Sequence, residues 1–532
     1  MIIPKININK NLIFHPFLFA IFPILSLYSH NIGQVIFHQT LIPSAIALGL
    51  MLFLLLLFKL ISRNNQKAGI LTSVFLILFF SYGHIFTIMQ SFWKEMDIWD
   101  FASHVNIILT WIIIFIGSIY FVLKMRKNLK KFTNILNLIS LFIIVWPMIN
   151  ISGYEMRTLL YSRNMEPQSI TKTETIDAGM DYMGNTEDLP DIYYIILDKY
   201  ARQDVLKEEF DFDNSEFINY LSDKGFYVAS QSTSNYPITP FSLASSLNME
   251  YVNYLSDEVG KDSINWGPLY YMMKDHKVGQ FLKSRGYTYI HFETGWYPTG
   301  RNKYADINIG YRSMPEFSRM LYNNTILMPI SLLTYCVEHK ERILYKFDEL
   351  AKIPEIKEPT FVFAHMLLPH QPYVFDKDGN FVSMAEARVK GRNPSYIDQL
   401  KFTNKKTQEL INIILSKSEI PPIIILQSDE GPYPEELEES FKKIENFKWE
   451  EASDSFLKQK MSILNAFYLP GLDKSELSPD ITPVNNFRIV FNLLFDSKLE
   501  LLPNQNYSFG DEKHMYEFIN VTEKLSEEVS RD

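Results

Sequence analysis

Two acidic residues that each follow a long apolar run are the first candidates for chemistry in this sequence. Asp198 follows Ile192–Leu197, whose residues are all aliphatic or aromatic, and Asp429 follows a similar run at 423–426. Such runs are typical of strands buried on both faces of a parallel sheet. Ligands bind beyond the carboxyl ends of these strands, so the two carboxylates predict two halves of one metal site. From the residues alone, each aspartate could equally cap a helix after its strand.

Thr239 is the candidate nucleophile. It lies between Pro237 and Pro240, and proline favours the first turn of a helix, so a helix is expected to start near Pro240. The Thr239 hydroxyl would then lie at a helix N-terminus, where the amide dipoles favour an anion. A hydroxyl close to a metal ion can attack phosphorus. The alternative is that Thr239 only caps the helix.

Two histidines five residues apart are candidates for contacts with a metal or a substrate phosphate. His365 ends an apolar run, and His370 lies in a loop bounded by Pro369 and Pro372. A buried His365 could instead be a hydrogen-bonded core residue. The proline-bounded loop makes His370 the better functional candidate.

The pattern from residue 190 onward predicts strands and helices that could position these residues. Strand-like runs at 226–229, 287–291 and 360–365 alternate with helical patterns at 213–225 and 395–415. This alternation predicts an α/β domain with a mostly parallel sheet flanked by helices.

Composition separates the chain into two parts. The mean hydropathy is -0.05, but the first 150 or so residues are overwhelmingly apolar and the remainder is polar and charged. A net charge of -10 and a pI near 5.7 argue against binding to nucleic acid. The single cysteine, Cys336, excludes a disulfide framework or a cysteine metal cluster within the chain.

Five apolar stretches are long enough to cross a bilayer, which takes about 20 helical residues. They are residues 11–27, 41–61, 68–89, 105–123 and 132–151. Lysine and arginine are concentrated before the first stretch, between the second and third, and between the fourth and fifth. Because such residues favour the cytoplasmic side, this pattern places the N-terminus in the cytoplasm and everything after the fifth stretch outside the cell membrane.

The predicted organisation therefore has three parts. Residues 1–152 form a five-helix transmembrane bundle, residues 153–189 a juxtamembrane connector, and residues 190–532 an extracytoplasmic catalytic domain.

Four segments, in this order along the chain, resemble the motifs of the alkaline phosphatase/sulfatase superfamily. They are 197–204, 239–247, 365–373 and 427–431, and the resemblance covers roughly residues 190–495. With the five apolar stretches, the chain is similar to the membrane-anchored branch that contains lipoteichoic acid synthases and phosphoethanolamine transferases. The resemblance implies that Thr239 is the nucleophile. It also implies that the metal ligands are Asp198, Thr239, Asp429 and Glu430. The substrate contacts that it implies are His370, His365 and Arg202.

Two departures from the family pattern affect the expected activity. Sulfatases need cysteine or serine in a C/S-x-P-x-R motif, and this chain has Thr239 and Leu243 at those positions, which disfavours sulfate ester hydrolysis. Glu430 stands where the family usually has histidine. A glutamate ligand favours Mn²⁺ or Mg²⁺ over Zn²⁺, but it could equally mark a degenerate site.

The sequence thus predicts a membrane-anchored phosphotransferase or phosphodiesterase that depends on a divalent metal ion (Mn, Zn or Mg). Its expected partners are membrane lipids and lipid-linked or glycan substrates, with no nucleic acid. The alternative is a catalytically degenerate member that binds a glycan or a protein partner. A transporter is disfavoured because the apolar stretches lack the buried charges that mark ion pathways.

Overall fold

The computed structural model describes residues 12–93, 101–164, 189–437, 440 and 447–526. The chain forms two compact units. Unit 1 contains Met1–Asn164 together with Met314–Tyr335, and unit 2 contains Met165–Ser313 together with Cys336–Asp532.

Unit 1 is helical. Its first five helices are α1 (His15–His30), α2 (Leu41–Ser62), α3 (Asn65–Trp93), α4 (Phe101–Lys124) and α5 (Leu129–Asn164). Among the described residues, four stretches are long and apolar enough to cross a membrane, namely Phe37–Ser62, Asn65–Met89, His104–Lys124 and Leu129–Met156. Four of the five predicted spans therefore have the required length and composition. Helix α1 has 16 residues, fewer than the roughly 20 that a spanning helix needs.

Helix α1 runs parallel to α5, and two asparagines of α5 bind its two ends. The Asn137 side chain accepts hydrogen bonds from the backbone N–H groups of Phe14 and His15, at 3.2 and 3.0 Å. Thirteen residues further along α5, the Asn150 amide donates to the carbonyl and hydroxyl oxygens of Ser29, at 3.0 and 2.8 Å. These bonds satisfy polar groups at both ends of α1, so α1 follows α5 for about 20 Å.

A later segment of the chain also belongs to unit 1. It comprises α12 (Glu316–Asn323) and the first residues of α13 (Met328–Leu350), and its backbone bonds to that of α3. The predicted domain bounds assigned this segment to residues 190–532. The predicted connector begins at 153, but α5 continues to Asn164, and residues 165–188 lie outside the described residues.

Unit 2 is built on a sheet of seven strands, as the sequence predicts for an α/β domain. The strands are β1 (Ile192–Leu197), β2 (Tyr227–Val228), β3 (Thr288–Phe292), β4 (Ile307–Ile309), β5 (Thr360–Met366), β6 (Ile423–Gln427) and β7 (Asn465–Tyr468). Their order is β2-β7-β6-β1-β5-β3-β4. The pairs from β6 to β4 are parallel, and β7 pairs antiparallel with β6 and with β2. A separate antiparallel pair is formed by β8 (Tyr507–Phe509) and β9 (Phe518–Asn520).

Helices cover both faces of this sheet. In chain order, the described helices of unit 2 besides α13 are α6 (Gln203–Phe210), α7 (Ser215–Asp223), α8 (Thr239–Asn248), α9 (Leu255–Val259), α10 (Gly267–Lys274), α11 (Lys277–Ser284), α14 (Met384–Lys390), α15 (Arg392–Lys417), α16 (Asp454–Met461), α17 (Asn486–Phe495) and α18 (Thr522–Leu525). Each strand directs alternate side chains to opposite faces. Tyr194 and Ile196 of β1 enter the core that contains α8, whereas Tyr193 and Ile195 enter the core that contains α15.

Candidate metal centre and active site

The three central strands each carry one candidate metal ligand. Asp198 follows β1 directly, Asp429 follows β6 by two residues, and His365 lies in β5. The register pairs Ile196 with both His365 and Gln427. Because side chains alternate along a strand, Asp198, His365 and Asp429 all lie on the face that packs against α8.

These three side chains form a compact buried group. One ligand atom from each lies within 4.8 Å of the others, and His365 Nε2 is 3.4 Å from Asp198 Oδ2. The residues are 3% (Asp198), 1% (His365) and 0% (Asp429) exposed. The aspartates were predicted to bind a metal and His365 to contact substrate; the structure places His365 among the aspartates. The alternative that Asp198 caps a helix does not apply, because Arg202 holds the N-cap position of α6.

The chemistry of the group fits a divalent cation. Within the described part of the chain, Asp198 Oδ1, His365 Nε2 and both carboxylate oxygens of Asp429 are buried with no hydrogen-bond partner. Buried polar atoms are normally paired, so these orphaned acceptors point to a ligand. Two carboxylates and an imidazole nitrogen are donors that Zn²⁺ and Mn²⁺ both accept.

Electrostatics support the same conclusion. Burial raises the pKa of Asp198 to about 7, and the Lys199 charge opposes this shift. Burial, together with the charges of Asp198 and Glu430, raises the pKa of Asp429 to about 8. Burial lowers the pKa of His365 to about 4, which keeps its ring neutral and able to ligate. A cation bound to these groups would offset the cost of burying two charged carboxylates.

The candidate nucleophile begins the helix that packs on this face. Thr239 is the first residue of α8, Pro240 is the second, and Ile238 holds the N-cap position without a side-chain hydrogen bond. The Thr239 side chain is half-buried and lowers the pKa of Asp429, so the two groups are close. The neighbouring Ser242 hydroxyl donates to the Asp429 carbonyl oxygen at 2.7 Å and ties α8 to the end of β6.

Hydrogen bonds behind His365 define its tautomer. The Thr294 hydroxyl donates to the Trp296 carbonyl oxygen, at 3.1 Å, so it accepts from the Thr299 hydroxyl at 2.8 Å. The Thr299 oxygen then accepts from His365 Nδ1, at 3.0 Å. With the proton on Nδ1, the Nε2 lone pair is directed toward Asp198, as metal binding requires.

Glu430, predicted to be a metal ligand, lies outside the Asp198–His365–Asp429 group. Its carboxylate oxygens are 2.9 Å from Lys460 Nζ and 3.9 Å from Lys199 Nζ, and all three side chains are almost fully buried. Both lysine ammonium groups also lie over the ring of Tyr433. The glutamate therefore has a charge-balancing position, and the cluster of three charges carries one net positive charge.

The two remaining predicted contacts differ in their placement. His370 shares a small recess with Lys199, Arg392 and Tyr433, next to the Glu430 ion pairs. Arg202 is buried, and its guanidinium binds both carboxylate oxygens of Asp204 at 2.7 Å. His370 therefore lies near the candidate metal site, whereas Arg202 binds Asp204 and stabilises the segment that follows β1.

Three residues near the centre were missed by the sequence analysis. Lys199 directly follows Asp198, and this adjacency was a signal that could have been used. Lys460 in α16 is 30 residues away from its partner Glu430. Thr299, in the turn Tyr297–Thr299, is 66 residues away from its partner His365. No local sequence pattern indicates either pairing.

The sulfatase family profile matches residues 190–471, which are slightly more than half of the chain and include all seven strands of the large sheet. The chain belongs to the sulfatase family. This confirms the predicted membership of the alkaline phosphatase/sulfatase superfamily. The matched residues of this sulfatase-family chain include Asp198, Thr239, His365 and Asp429. No curated protein matches the sequence.

Solved structures similar to this sulfatase-family chain include two phosphoethanolamine transferases. The C-terminal periplasmic domain of EptC from Escherichia coli is 12% identical, with a TM-score of 0.41, and the match covers 64% of this chain and 94% of that one. The integral membrane protein EptA from Neisseria meningitidis is 10% identical, with a TM-score of 0.37, over 90% of this chain and 95% of that one. The lipoteichoic acid synthase LtaP from Listeria monocytogenes is 12% identical, with a TM-score of 0.38, over 60% and 78%.

Proposed function

We propose that this protein is a membrane-anchored, metal-dependent phosphotransferase or phosphodiesterase with Thr239 as its nucleophile. The observation that carries the proposal is the convergence of Asp198, His365 and Asp429 on the sheet face where α8 begins with Thr239. A divalent ion held by those three residues would neutralise phosphate charge and make a nearby hydroxyl more acidic. The helix N-terminus adds amide dipoles that favour the same anion.

In the proposed reaction, a bond forms between Thr239 Oγ1 and phosphorus while the bond from phosphorus to the leaving alcohol breaks. The threonine proton passes to the departing alcohol. Water or an acceptor hydroxyl then forms a bond to phosphorus while the bond from phosphorus to Thr239 Oγ1 breaks, and the proton of the acceptor passes to Thr239 Oγ1. The positive charge of the Lys199–Glu430–Lys460 cluster and the adjacent His370 would bind the phosphate oxygens that do not react.

Phosphoryl transfer is favoured over sulfate ester hydrolysis by the residue at the nucleophile position. Sulfatases convert a cysteine or serine into formylglycine, and the required arginine follows in the same motif. This chain has Thr239 and Leu243 at the two positions. A threonine oxygen can form a phosphoester directly.

We also propose that unit 2 lies outside the cell membrane and acts on lipid-linked or glycan-linked phosphodiesters. The lysine and arginine distribution favours a cytoplasmic N-terminus. Helix α1 follows the candidate span α5 in the same direction, between the contacts of Asn137 and Asn150, which supports a fifth crossing. An odd number of crossings would export the chain after α5.

The test uses the full-length protein in detergent, supplied in turn with Mn²⁺, Zn²⁺ and Mg²⁺. We expect turnover of bis(p-nitrophenyl) phosphate and none of p-nitrophenyl sulfate. Thr239→Ala should lower turnover by at least about 100-fold, because the nucleophile is removed. Mass spectrometry of the trapped wild-type enzyme should find the aryl phosphate on Thr239.

Thr522→Ala is the matched control, because Thr522 also begins a helix, α18, but lies in a different part of unit 2. It should keep full turnover. Full turnover in the Thr239→Ala variant would remove Thr239 from the mechanism. Turnover of the sulfate ester instead of the phosphodiester would overturn the substrate class.

One alternative function has a specific observation in its favour. Glu430 replaces the usual histidine and forms ion pairs with two lysines, as in a site that has lost part of its metal coordination. A degenerate member would bind a glycan or a protein partner. Elemental analysis separates the two proposals, because a degenerate site would retain no divalent ion and would turn over neither ester.

A further inference from the structure

We infer that residues 314–335 form a re-entrant membrane segment, which enters the lipid bilayer from the side of unit 2 and returns to that side. The chain leaves unit 2 after Ser313, joins the helices of unit 1 and re-enters unit 2 at Cys336. Because both ends connect to the same unit, the segment enters and leaves on one side. Nothing in the sequence analysis separated it from the catalytic domain.

The tip of the segment bonds to the middle of a candidate span. The Gly83 N–H of α3 donates to the Asn324 carbonyl oxygen at 3.2 Å, and the Ile326 N–H donates to the Phe79 carbonyl oxygen at 3.0 Å. The apolar stretch that the sequence predicts for α3 ends at Met89. Gly83 and Phe79 are six and ten residues before it, or about 9 and 15 Å along a helix. The tip therefore reaches the depth of the hydrocarbon core.

The irregular backbone between α12 and α13 is compatible with that depth. Non-helical backbone is tolerated in a bilayer only where its polar groups bond within the protein. The Thr325 hydroxyl donates to the Tyr322 carbonyl oxygen at 2.8 Å and accepts from the Leu327 N–H at 3.1 Å. With the two bonds to α3, these contacts pair the backbone N–H groups of the turn within the protein.

One side of the segment packs against the membrane helices. Phe317 and Leu321 of α12 are buried in the apolar core that α1, α2 and α3 share. Ile326 and Met328 pack against a second cluster that contains Phe86 of α3. Gly83 allows this close packing, since a Cβ atom there would lie 2.2 Å from the Asn323 carbonyl oxygen.

The other side is apolar and exposed, and we assign lipid acyl chains as its occupant. Residues 320–337 contain no charged side chain. Ile330 and Leu333 of α13 are 56% and 68% exposed, and a spacing of three puts them on one helix face. Helix α3, to which the tip of the segment bonds, also has the length and composition of a membrane span and exposes apolar side chains, namely Ile77 and Ile88. A face of this kind is stable in lipid and costly in water.

Fluorescence quenching in the full-length protein tests the assignment. Cys336 is the only cysteine, so a Cys336→Ala background allows a bimane label at a single introduced cysteine. Leu333→Cys and, separately, Ile330→Cys are labelled and reconstituted in phosphatidylcholine vesicles. We expect strong quenching by doxyl-labelled lipids and at least about fivefold weaker quenching by aqueous iodide than at a water-exposed site.

Two matched sites calibrate the measurement. Val389 in α14 of unit 2 is 90% exposed and should show the aqueous pattern, whereas Leu52 in α2 is exposed within a candidate span and should show the lipid pattern. Iodide quenching of the Leu333 and Ile330 labels at the Val389 level would overturn the re-entrant segment. Protection from both quenchers would also overturn it, because it would mean that a protein surface covers this face.

Discussion

At the scale of single residues, the two lysines beside Glu430 indicate that this glutamate balances their charge, a role separate from metal binding. Lys460 and Lys199 are buried with the glutamate between them. A buried charge without a partner is far more costly than a buried pair. We therefore expect Glu430 to stabilise the fold whether or not it touches a metal ion.

Glu430→Gln should lower the free energy of unfolding by up to about 3–5 kcal/mol, because two buried ammonium groups lose their ion-pair partner and keep only the nearby charge of Asp198. The same variant should still bind one divalent ion per chain, since Asp198, His365 and Asp429 are unchanged. Thermal unfolding and elemental analysis of one sample measure both effects. Glu451→Gln, at an exposed glutamate, is the control and should change stability by less than about 0.5 kcal/mol. Loss of the ion with unchanged stability would identify Glu430 as a ligand.

Thr299 positions His365 without touching the proposed ion. Thr299→Val keeps the shape of the side chain but removes the oxygen that accepts from His365 Nδ1. We expect the affinity for Zn²⁺ to fall by about 10–100-fold, as is usual when the partner of a ligating histidine is lost. Competition with a fluorescent chelator measures this affinity.

Two further variants distinguish positioning from general stability. Thr299→Ser restores the hydroxyl and should restore most of the affinity. Thr407→Val removes a buried hydroxyl that has no hydrogen-bond partner among the described residues, so it should leave Zn²⁺ affinity unchanged. Equal losses of affinity in Thr299→Val and Thr407→Val would contradict a specific role for Thr299.

The residues of the site differ in how far sequence could predict them. Asp198 and Asp429 follow buried strands, and Thr239 follows a helix-breaking proline, so local patterns were sufficient to propose these residues. The partners of Glu430 and His365 come from distant elements, and only the three-dimensional contacts reveal them. His365 was assigned to substrate because its face of the sheet depends on the register with β1.

At the scale of elements, the central strands were predictable because each is a continuous apolar run. The edge strand Ile307–Ile309 has three residues and gave no signal. The segment 314–335 was missed for another reason. Its apolar residues are interrupted by Asn323, Asn324 and Pro329, so it does not form the single stretch of about 20 residues that identifies a span.

Gly83 provides a test of how α3 holds that segment. Alanine normally stabilises a helix by about 1 kcal/mol over glycine. Gly83→Ala should instead lower the thermal unfolding midpoint by several degrees, because the added methyl group would meet the backbone of Asn323 and Asn324. Gly49→Ala in α2 is the matched control, since its Cβ would meet open space and its midpoint should stay equal or rise. Similar behaviour of the two variants would contradict the close packing at Gly83.

At the scale of the whole molecule, two buried histidines are expected to contribute to the loss of stability in acid. The Gly279 N–H donates to His276 Nδ1, so His276 Nε2 donates to the Tyr289 oxygen, at 3.0 Å. The Tyr289 hydroxyl in turn lies 3.1 Å from His291 Nδ1. This chain of bonds requires both histidines to be neutral. Burial lowers the pKa of each to about 3.

Because these folded-state pKa values lie below the ordinary value of 6.5, the histidines stabilise the fold fully above pH 6.5. Their contribution is lost as the pH falls toward 3. Each should account for about 2 kcal/mol of lost stability between pH 6.5 and pH 5. His276→Asn, which cannot titrate, should show a smaller fall of the thermal unfolding midpoint over this range than the wild type. His514→Asn, at a half-buried histidine whose pKa is raised by Asp511, should not reduce the fall. An identical acid response in wild type and His276→Asn would refute this account.

Because residues 314–335 return to the helices of unit 1, they also affect how unit 2 can be prepared as a separate fragment. A fragment that starts at Pro190 would contain this segment without the helices that cover its inner side, and Phe317, Leu321 and Met328 would face water. Such a fragment would aggregate unless detergent were present. A water-soluble fragment of unit 2 needs two changes. It should start near Pro190, and a short polar linker should replace residues 314–335.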